Sequence, residues 1–186
     1  MLQGQRLIPA IGTHRDLKAF LKLPLTYGIL MNFQLAQLDD LVETMKKHDK
    51  KVLVHSELIR GLASDEFGAI YLIQTLRVDG IISSKPKVIE MCKKRGVLGI
   101  MRFFLKDSYS LEQSIKMVQY VRPDCLEVLP AVSIPLLEMI KDIVSCELIV
   151  GGLLREEAQI KAYLDSGILA VTTSKVALWD IDHVTT

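Results

Sequence analysis

Residues 147–175 read ELIVGGLLREEAQIKAYLDSGILAVTTSK and contain one complete strand–helix–strand unit. The short apolar runs at 147–150 and 170–173 have the length and β-branched content of strands that are buried on both faces. The segment between them opens with Arg155-Glu156-Glu157 and closes at Gly167, a pattern typical of a helix with acids in its first turn and glycine after its last. This unit predicts two parallel strands joined by a helix.

The same unit recurs along the chain. Further apolar runs, each followed by a helical pattern, lie at 7–11, 27–31, 51–55, 80–83, 98–104 and 125–129. Eight units predict an alternating α/β fold, and we expect a compact TIM-like (β/α)8 barrel. A typical barrel has about 250 residues, so an open doubly wound parallel sheet is the alternative for this chain of 186. No Pro/Gly/Ser-rich linker interrupts the alternation of predicted strands and helices, which predicts a single domain over residues 1–186.

The charge balance restricts the kind of partner. Lys and Arg total 23 and Asp and Glu total 22. With a net charge near zero, any contact with nucleic acid must be local and cannot come from a global field. The composition, 49% apolar and 24% charged, is that of an ordinary globular chain and excludes intrinsic disorder.

Two features point to the cytoplasm. The longest uncharged run, residues 23–38, is shorter than a membrane span and is interrupted by Pro24 and Asn32, and the first residues lack the apolar stretch of a signal peptide. The three cysteines, Cys92, Cys125 and Cys146, form no CxxC motif and predict reduced thiols. We therefore expect a cytoplasmic protein without a membrane contact.

The ends of the last two strands predict a phosphate site. In a parallel barrel the carboxyl ends of all strands share one face, and phosphate often binds after strands seven and eight. Gly151 and Gly152 would let backbone amides approach an anion, while Thr173 and Ser174 would add donors at a helix start. Lys175 opposes the dipole of such a helix unless an anion offsets it. The alternative is a tight turn at the glycines and a plain helix cap at Ser174.

Other polar residues fall at or near strand ends on the same face. Asn32 follows the second strand, and His55 and Glu57, two residues apart, are expected to point the same way from the third. Arg102 and Glu127 lie on neighbouring strands and predict either a structural ion pair or a contact with ligand hydroxyls. These five side chains are the candidate pocket residues beside the phosphate.

No catalytic or metal site is predicted. The sequence lacks GxSxG, GxGxxG, SxxK, HExxH and a P-loop, so no nucleophile or cofactor motif stands out. His55 and Glu57 are conceivable as metal ligands, but no third ligand has a specific spacing, and a hydrogen-bonded pair at the pocket mouth is preferred. A phosphate site without a catalytic dyad favours a sensor.

Two basic clusters end predicted helices and therefore lie on the opposite face of the barrel. They are Lys46, Lys47, Lys50 and Lys51, and Lys93, Lys94 and Arg95. Cations stabilise helix C-termini, which is one explanation for both clusters. The other explanation is contact with a polyanion. Under that explanation, these seven residues are the candidates for RNA binding. Aromatic residues make up only 6% of the chain, and no RRM or KH signature is present.

Several segments together resemble the bacterial glycerol-3-phosphate-responsive antiterminators, regulators of glycerol uptake operons. They are LIPAI at 7–11, HSELIRGL at 55–62, DGIIS at 79–83, EVLP at 127–130, GGLL at 151–154 and TTS at 172–174. The resemblance runs from Leu7 to Trp179. Members often carry Asp after a His-Ala pair. Here Ser56-Glu57 follows His55, which keeps the carboxylate but lengthens it by a methylene.

The resemblance implies a barrel-like regulator and not an enzyme. Such a protein binds glycerol 3-phosphate as its effector, needs no cofactor, and then binds the leader mRNA of a glycerol operon to prevent premature termination. A homo-oligomer is compatible with this reading. Two other classes stay open: a phosphate-binding barrel enzyme that acts on a phosphorylated triol or triose, with Glu57, Glu127 or His55 as acid or base, and a metabolite-binding module that acts through a protein partner.

Overall fold

The computed structural model describes residues 1–180 and contains a closed barrel of eight parallel strands. Each strand pairs with the next one along the chain, and β8 returns to pair with β1. The strands are β1 (Leu7–Ile11), β2 (Tyr27–Leu30), β3 (Lys51–His55), β4 (Gly80–Ser83), β5 (Leu98–Phe104), β6 (Cys125–Leu129), β7 (Glu147–Gly151) and β8 (Ala170–Thr173). The predicted (β/α)8 barrel is therefore confirmed, and the open sheet is excluded.

Within residues 1–180, seven α-helices cover the outside of the barrel. They are α1 (His14–Phe20), α2 (Leu35–Lys47), α3 (Glu66–Ile70), α4 (Pro86–Arg95), α5 (Ser108–Val121), α6 (Ile134–Ile143) and α7 (Glu157–Asp165). Local signals set their ends: Asp65 caps α3 by accepting from the amides of Phe67 and Gly68, and Gly96 ends α4 in the left-handed conformation. Short helices explain how 186 residues close a barrel.

Two strand ends differ from the predicted ones by one residue. β2 stops at Leu30, since Asn32 has a φ of 63° and turns the chain away from the barrel. β7 extends to Gly151, which pairs with Thr172 of β8. After β3, α3 is followed directly by a π-helical turn, Tyr71–Thr75.

The unit after β8 also differs from the prediction. Ser174 and Lys175 do not begin an α-helix, because the chain from the end of β8 to Asp180 forms a single 3-10 turn, Val176–Leu178. Trp179 then packs in the apolar cluster between the barrel and its helices: its indole nitrogen donates to the Thr173 carbonyl at 2.9 Å, and its side chain is buried. A turn of three residues has little dipole, so the predicted conflict with the charge of Lys175 does not arise.

The barrel interior is filled by one apolar residue from each strand. They are Ile8, Ile29, Leu53, Ile82, Ile100, Cys125, Ile149 and Ala170, with Leu2 packed against the same layer. Strand side chains alternate between the inside and the outside, so residues two positions further along each strand also point inward. The apolar layer closes the interior below them, and the carboxyl end of the barrel, which we term the upper face, is where a ligand can enter.

Candidate functional site

The upper layer of side chains inside the barrel contains four polar residues, whereas the layer below it is apolar. His55, Arg102, Glu127 and Thr172 each lie two residues beyond a member of the apolar layer. All four are held by strands with fixed register, such as the pairing of Arg102 with Glu127 across β5 and β6. The strands thus bring a histidine, a guanidinium, a carboxylate and a hydroxyl together beneath the upper face.

A cavity of about 180 Å³ opens above this layer. Its walls come from the ends of β1, β2, β5, β7 and β8 and consist of Ala10, Met31, Arg102, Gly152, Leu153, Leu154, Thr172, Thr173, Ser174 and Lys175. Pockets for drug-sized molecules usually measure about 300–1,000 Å³. This cavity is smaller and suits a compact metabolite.

Four of the five predicted phosphate residues line the cavity, and Gly151 does not. Gly152, Thr173, Ser174 and Lys175 form its β7–β8 side. Gly151 is buried, and a Cβ atom at this position would lie 2.0 Å from the Thr172 hydroxyl oxygen. The interpretation of Gly151 as an anion contact therefore needs correction: glycine is required there because Thr172 occupies the interior space beside it.

The β7–β8 side of the cavity presents donors that suit an anion. Gly152 and Leu153 have φ angles of 77° and 60°, and their amides, like that of Ser174, donate to no backbone carbonyl of residues 1–180. Successive free amides in a turn form anion-binding concavities. The Lys175 ammonium donates to the Arg155 carbonyl at 2.6 Å, which ties the loop after β8 to the loop after β7.

Arg102, Glu127 and Thr172 form a hydrogen-bonded network on the cavity floor. Arg102 Nε and Thr172 Oγ1 each donate to the Glu127 carboxylate at 2.7 Å, and Glu127 is fully buried. The predicted pairing of Arg102 with Glu127 is thus present. Because Arg102 is bound through Nε and lines the cavity, its terminal nitrogens remain available to a ligand.

His55 lies beside this network with only 2% of its surface exposed. Neither ring nitrogen has a hydrogen-bond partner among the described residues. Burial, and next the positive charge of Arg102, lower the pKa of His55 to about 4, against the opposing effect of Glu57 and Glu127. The imidazole is therefore neutral at physiological pH and has an acceptor and a donor to offer.

The predicted hydrogen-bonded pair of His55 and Glu57 at the pocket mouth is not formed: the two side chains are close without a hydrogen bond, and neither lines the cavity. The expectation that both lie on one strand is wrong, because β3 ends at His55 and Glu57 belongs to a 3-10 turn, Ser56–Leu58. The Glu57 carboxylate still comes within 3.4 Å of His55 Nδ1, and it accepts from the Ser83 hydroxyl at 2.6 Å. It therefore links the ends of β3 and β4.

Asn32 stands apart from the cavity. It is exposed, and its backbone amide donates to the Leu58 carbonyl at 2.8 Å. It does not line the cavity within the part of the chain that the structure describes. Its left-handed backbone explains its place after β2, since asparagine tolerates this conformation better than most residues. The structure thus supports a turn role at this position.

Sequence reasoning left Thr172 out of the site, although a signal for it exists. Thr172 follows the inward-pointing Ala170 by two residues, which places its hydroxyl inside the barrel. Ala10 and Met31 follow Ile8 and Ile29 in the same way, and both line the cavity. The period of two along each strand would have found all three.

The seven predicted RNA-binding cations lie at the face opposite the cavity, as expected from their place at or after helix C-termini. Most are engaged within the chain: the ammonium groups of Lys46, Lys50 and Lys93 donate to backbone carbonyls, Lys47 pairs with Glu43, and Lys51 pairs with Asp79. Lys94 and Arg95 are exposed and form no salt bridge within residues 1–180. RNA contact by these residues stays a prediction.

Within residues 1–180, neither the cysteine thiols nor a metal centre adds chemistry to the site. Burial raises the pKa of Cys92 and Cys125 to about 12, which keeps both as unreactive thiols. Among residues 1–180, no group of three or more His, Cys, Asp or Glu side chains is placed to hold a metal ion. In the same range, no helix is long and apolar enough to cross a membrane.

Comparison with known proteins places this geometry in a family. The family model described as glycerol-3-phosphate responsive antiterminator matches residues 7–179. The glycerol uptake operon antiterminator regulatory protein from Listeria monocytogenes is 34% identical, with a TM-score of 0.91 and 95% of each chain covered. The antiterminator-related protein from Thermotoga maritima is 25% identical, with a TM-score of 0.84 over 95% of this chain and 99% of that one.

Barrel enzymes share only the fold with this chain. Orotidine 5′-phosphate decarboxylase from Pyrococcus horikoshii superposes with a TM-score of 0.68 over 90% of this chain and 88% of its own, but it is 11% identical. The family match, in contrast, extends over nearly the whole sequence and includes every residue that lines the cavity. The chain belongs to the glycerol-3-phosphate responsive antiterminator family.

Proposed function

We propose that this protein senses glycerol 3-phosphate in the upper cavity and, when occupied, binds the leader mRNA of a glycerol operon to prevent termination. The observation that carries the proposal is the set of free amides and the Lys175 ammonium on the β7–β8 side, opposite Arg102 in a cavity of about 180 Å³. The antiterminator family supplies the regulatory class.

The donors suggest how the ligand is oriented. A phosphate monoester carries about −1.5 to −2 charges at pH 7, and the amides of Gly152 and Ser174 together with Lys175 favour it at the β7–β8 side. The glycerol hydroxyls then point toward the floor, where the terminal nitrogens of Arg102 donate and neutral His55 lies beneath. Glu127 does not line the cavity, but it accepts from Arg102 Nε and so fixes the guanidinium that faces the ligand.

Titration calorimetry tests the ligand half of the proposal. Glycerol 3-phosphate should bind, while glycerol and inorganic phosphate, which each satisfy only part of the site, should bind more weakly. Lys175→Met should weaken glycerol 3-phosphate binding by about tenfold, whereas Lys161→Met, an exposed lysine of α7, serves as the matched control and should leave it unchanged. Equal loss in both variants, or no binding by the wild type, contradicts the proposal.

Gly152→Val tests the backbone approach directly. At a φ of 77° a branched side chain is strained, and its Cβ would meet Leu129 Cδ2 at 3.2 Å, so this variant requires a folding check by circular dichroism. We expect a folded but less stable protein with strongly reduced ligand affinity. Unchanged affinity in a folded variant would remove the anion site from this corner.

Thermodynamic linkage tests the coupling of ligand to RNA. If glycerol 3-phosphate tightens binding of a transcribed leader RNA by some factor, that RNA must tighten glycerol 3-phosphate binding by the same factor. Each phosphate that the protein neutralises should also steepen the salt dependence, by about 0.7 in log K per log salt for single strands. A ligand affinity that does not respond to saturating RNA refutes the coupled sensor even if both ligands bind.

We infer further that the protein does not turn over its ligand. A catalytic base works best with a pKa near the working pH, but the pKa of His55 is lowered to about 4, and the Glu127 carboxylate already accepts from Arg102 and Thr172. The competing class is a barrel enzyme acting on a triose or triol phosphate. Product formation that disappears in Glu127→Gln would favour that class.

A further inference from the structure

The end of β5 carries a large aromatic side chain outside the core. Phe104 is 57% exposed, and its ring centroid lies 5.8 Å from the guanidinium carbon of Arg102. Arg102 in turn lines the cavity and donates to Glu127. One exposed ring therefore contacts the same guanidinium group that faces the ligand cavity.

Two exposed cations occupy neighbouring positions at the same end of the barrel. Lys106 follows β5 by two residues, and Lys85 follows β4, whose pairing of Ser83 with Met101 places Lys85 beside the end of β5. Both lysines are exposed and form no salt bridge within residues 1–180. We term Phe104, Lys85 and Lys106 the β5 rim.

The chemistry of the β5 rim fits single-stranded RNA better than an apolar partner. Proteins bind single strands by stacking bases on aromatic side chains while nearby cations contact the phosphates. A ring with one lysine two residues further along the chain and another after the neighbouring strand provides this combination, and the two positive charges complement a polyanion. An apolar protein surface would have to desolvate both ammonium groups for the contact with one ring.

Position separates the β5 rim from the basic clusters at the opposite face. A strand of seven residues spans roughly 23 Å, so Lys94 and Arg95 lie about a barrel length away from the cavity. The β5 rim is connected to the cavity through one side chain, Arg102. A ligand that draws the terminal nitrogens of Arg102 toward the cavity changes the support of the Phe104 ring.

We propose that the RNA docks on the β5 rim, with a base stacked on Phe104 and the chain phosphates beside Lys85 and Lys106, and that Arg102 transmits ligand occupancy to this surface. This inference rests on the proposed function and specifies where the RNA binds and how it is regulated. Phe104 acts on RNA directly, and Arg102 is a positioning residue for it.

The test compares three substitutions in the full-length chain. Loss of one base stack corresponds to a weakening of about fivefold to a hundredfold, so Phe104→Ala should weaken binding of a transcribed leader RNA by at least fivefold at saturating glycerol 3-phosphate. Phe104→Trp should restore binding, and its fluorescence should be quenched by RNA. Tyr120→Ala removes a ring that is 76% exposed near the end of α5, at the opposite face, and should change nothing.

The outcomes distinguish this inference from the proposed function. If the wild type binds RNA in a ligand-dependent way and Phe104→Ala does so equally well, the β5 rim is not the RNA surface, although the sensor function stands. If the wild type binds no RNA, both fail. If Phe104→Ala shifts the sedimentation coefficient of the free protein, the ring belongs to a contact between copies, and the inference is overturned. Ligand affinity without RNA should stay within about fivefold of the wild type in Phe104→Ala, the most that one exposed cation–π contact supplies.

Discussion

His55 makes the stability of the protein depend on pH in a predictable direction. Its pKa is lowered from an ordinary 6.5 to about 4 by burial and by Arg102, with Glu57 and Glu127 opposing. Between these two values the unfolded chain binds more protons than the folded one, so the free energy of unfolding rises with pH. The full difference corresponds to on the order of 3 kcal/mol, of which about 2 kcal/mol is lost when the pH falls from 7 to 5.

Urea denaturation across this range measures the effect. With a slope of about 2 kcal/mol per molar urea, the wild-type midpoint should fall by about 1 M between pH 7 and pH 5. His55→Gln removes the titrating ring, so the difference between wild type and variant isolates its contribution from those of other groups. His48→Gln, which removes an exposed histidine after α2, should retain the wild-type dependence.

A direct titration protects the test against a variant that folds poorly. In the wild type, the ring resonances of His55 should stay unchanged from pH 8 down to pH 5 by NMR, because the neutral form persists until about pH 4. A midpoint near 6.5 for His55, or an identical pH dependence in His55→Gln and the wild type, would refute the reasoning. Either result would mean that water or a rearranged Glu57 solvates the imidazolium.

Four further predictions follow from named contacts. Gly151→Ala should destabilise the fold by several kcal/mol, because its Cβ would lie 2.0 Å from the Thr172 hydroxyl. Adding Thr172→Ala should recover part of this loss, and thermal unfolding of the two single variants and the double variant measures the recovery. Glu127→Gln removes a negative charge below the cavity while keeping an acceptor, so glycerol 3-phosphate should bind about tenfold more tightly by calorimetry; weaker binding would identify the carboxylate as a ligand contact. Trp179→Phe should cost about 1 kcal/mol of unfolding free energy through loss of the bond to the Thr173 carbonyl. Incubation with glycerol 3-phosphate should give no product by NMR, and any enzyme-dependent product would contradict the regulatory role.

The fold was predictable because its main signals are local. Each strand is a short run of apolar residues, and caps such as Asp65 and Gly96 stand where the helices begin and end. The strand and helix boundaries that differ from the predicted ones depend on contacts between residues in different elements. Gly151 joins β7 because it pairs with Thr172, and the last unit forms only a 3-10 turn because Trp179 donates to the end of β8. No local pattern in the sequence encodes those contacts.

The site residues that could be predicted from the sequence are the polar and glycine residues that follow predicted strands. Gly152, Thr173, Ser174 and Lys175 line one cavity because the carboxyl ends of neighbouring strands meet there. Gly151 was misinterpreted because a glycine that admits a ligand and one that admits a neighbouring hydroxyl look the same in sequence. The space occupied by Thr172 Oγ1 separates the two explanations, and it is a property of packing between strands.

The proposed RNA surface could not be predicted from the basic clusters, because the fold alone accounts for their cations. A cation at a helix C-terminus stabilises the fold by about 0.3–1 kcal/mol without any partner, and Lys46 and Lys50 also satisfy backbone carbonyls. Such residues need no RNA to account for them. A ring as exposed as that of Phe104 stabilises little, since burying it would have removed far more apolar surface from water. Tyr120 is more exposed still, so exposure alone does not identify an RNA contact. Phe104 is distinguished by its contact with Arg102, which connects the end of β5 to the ligand cavity and is the basis of the proposed RNA surface.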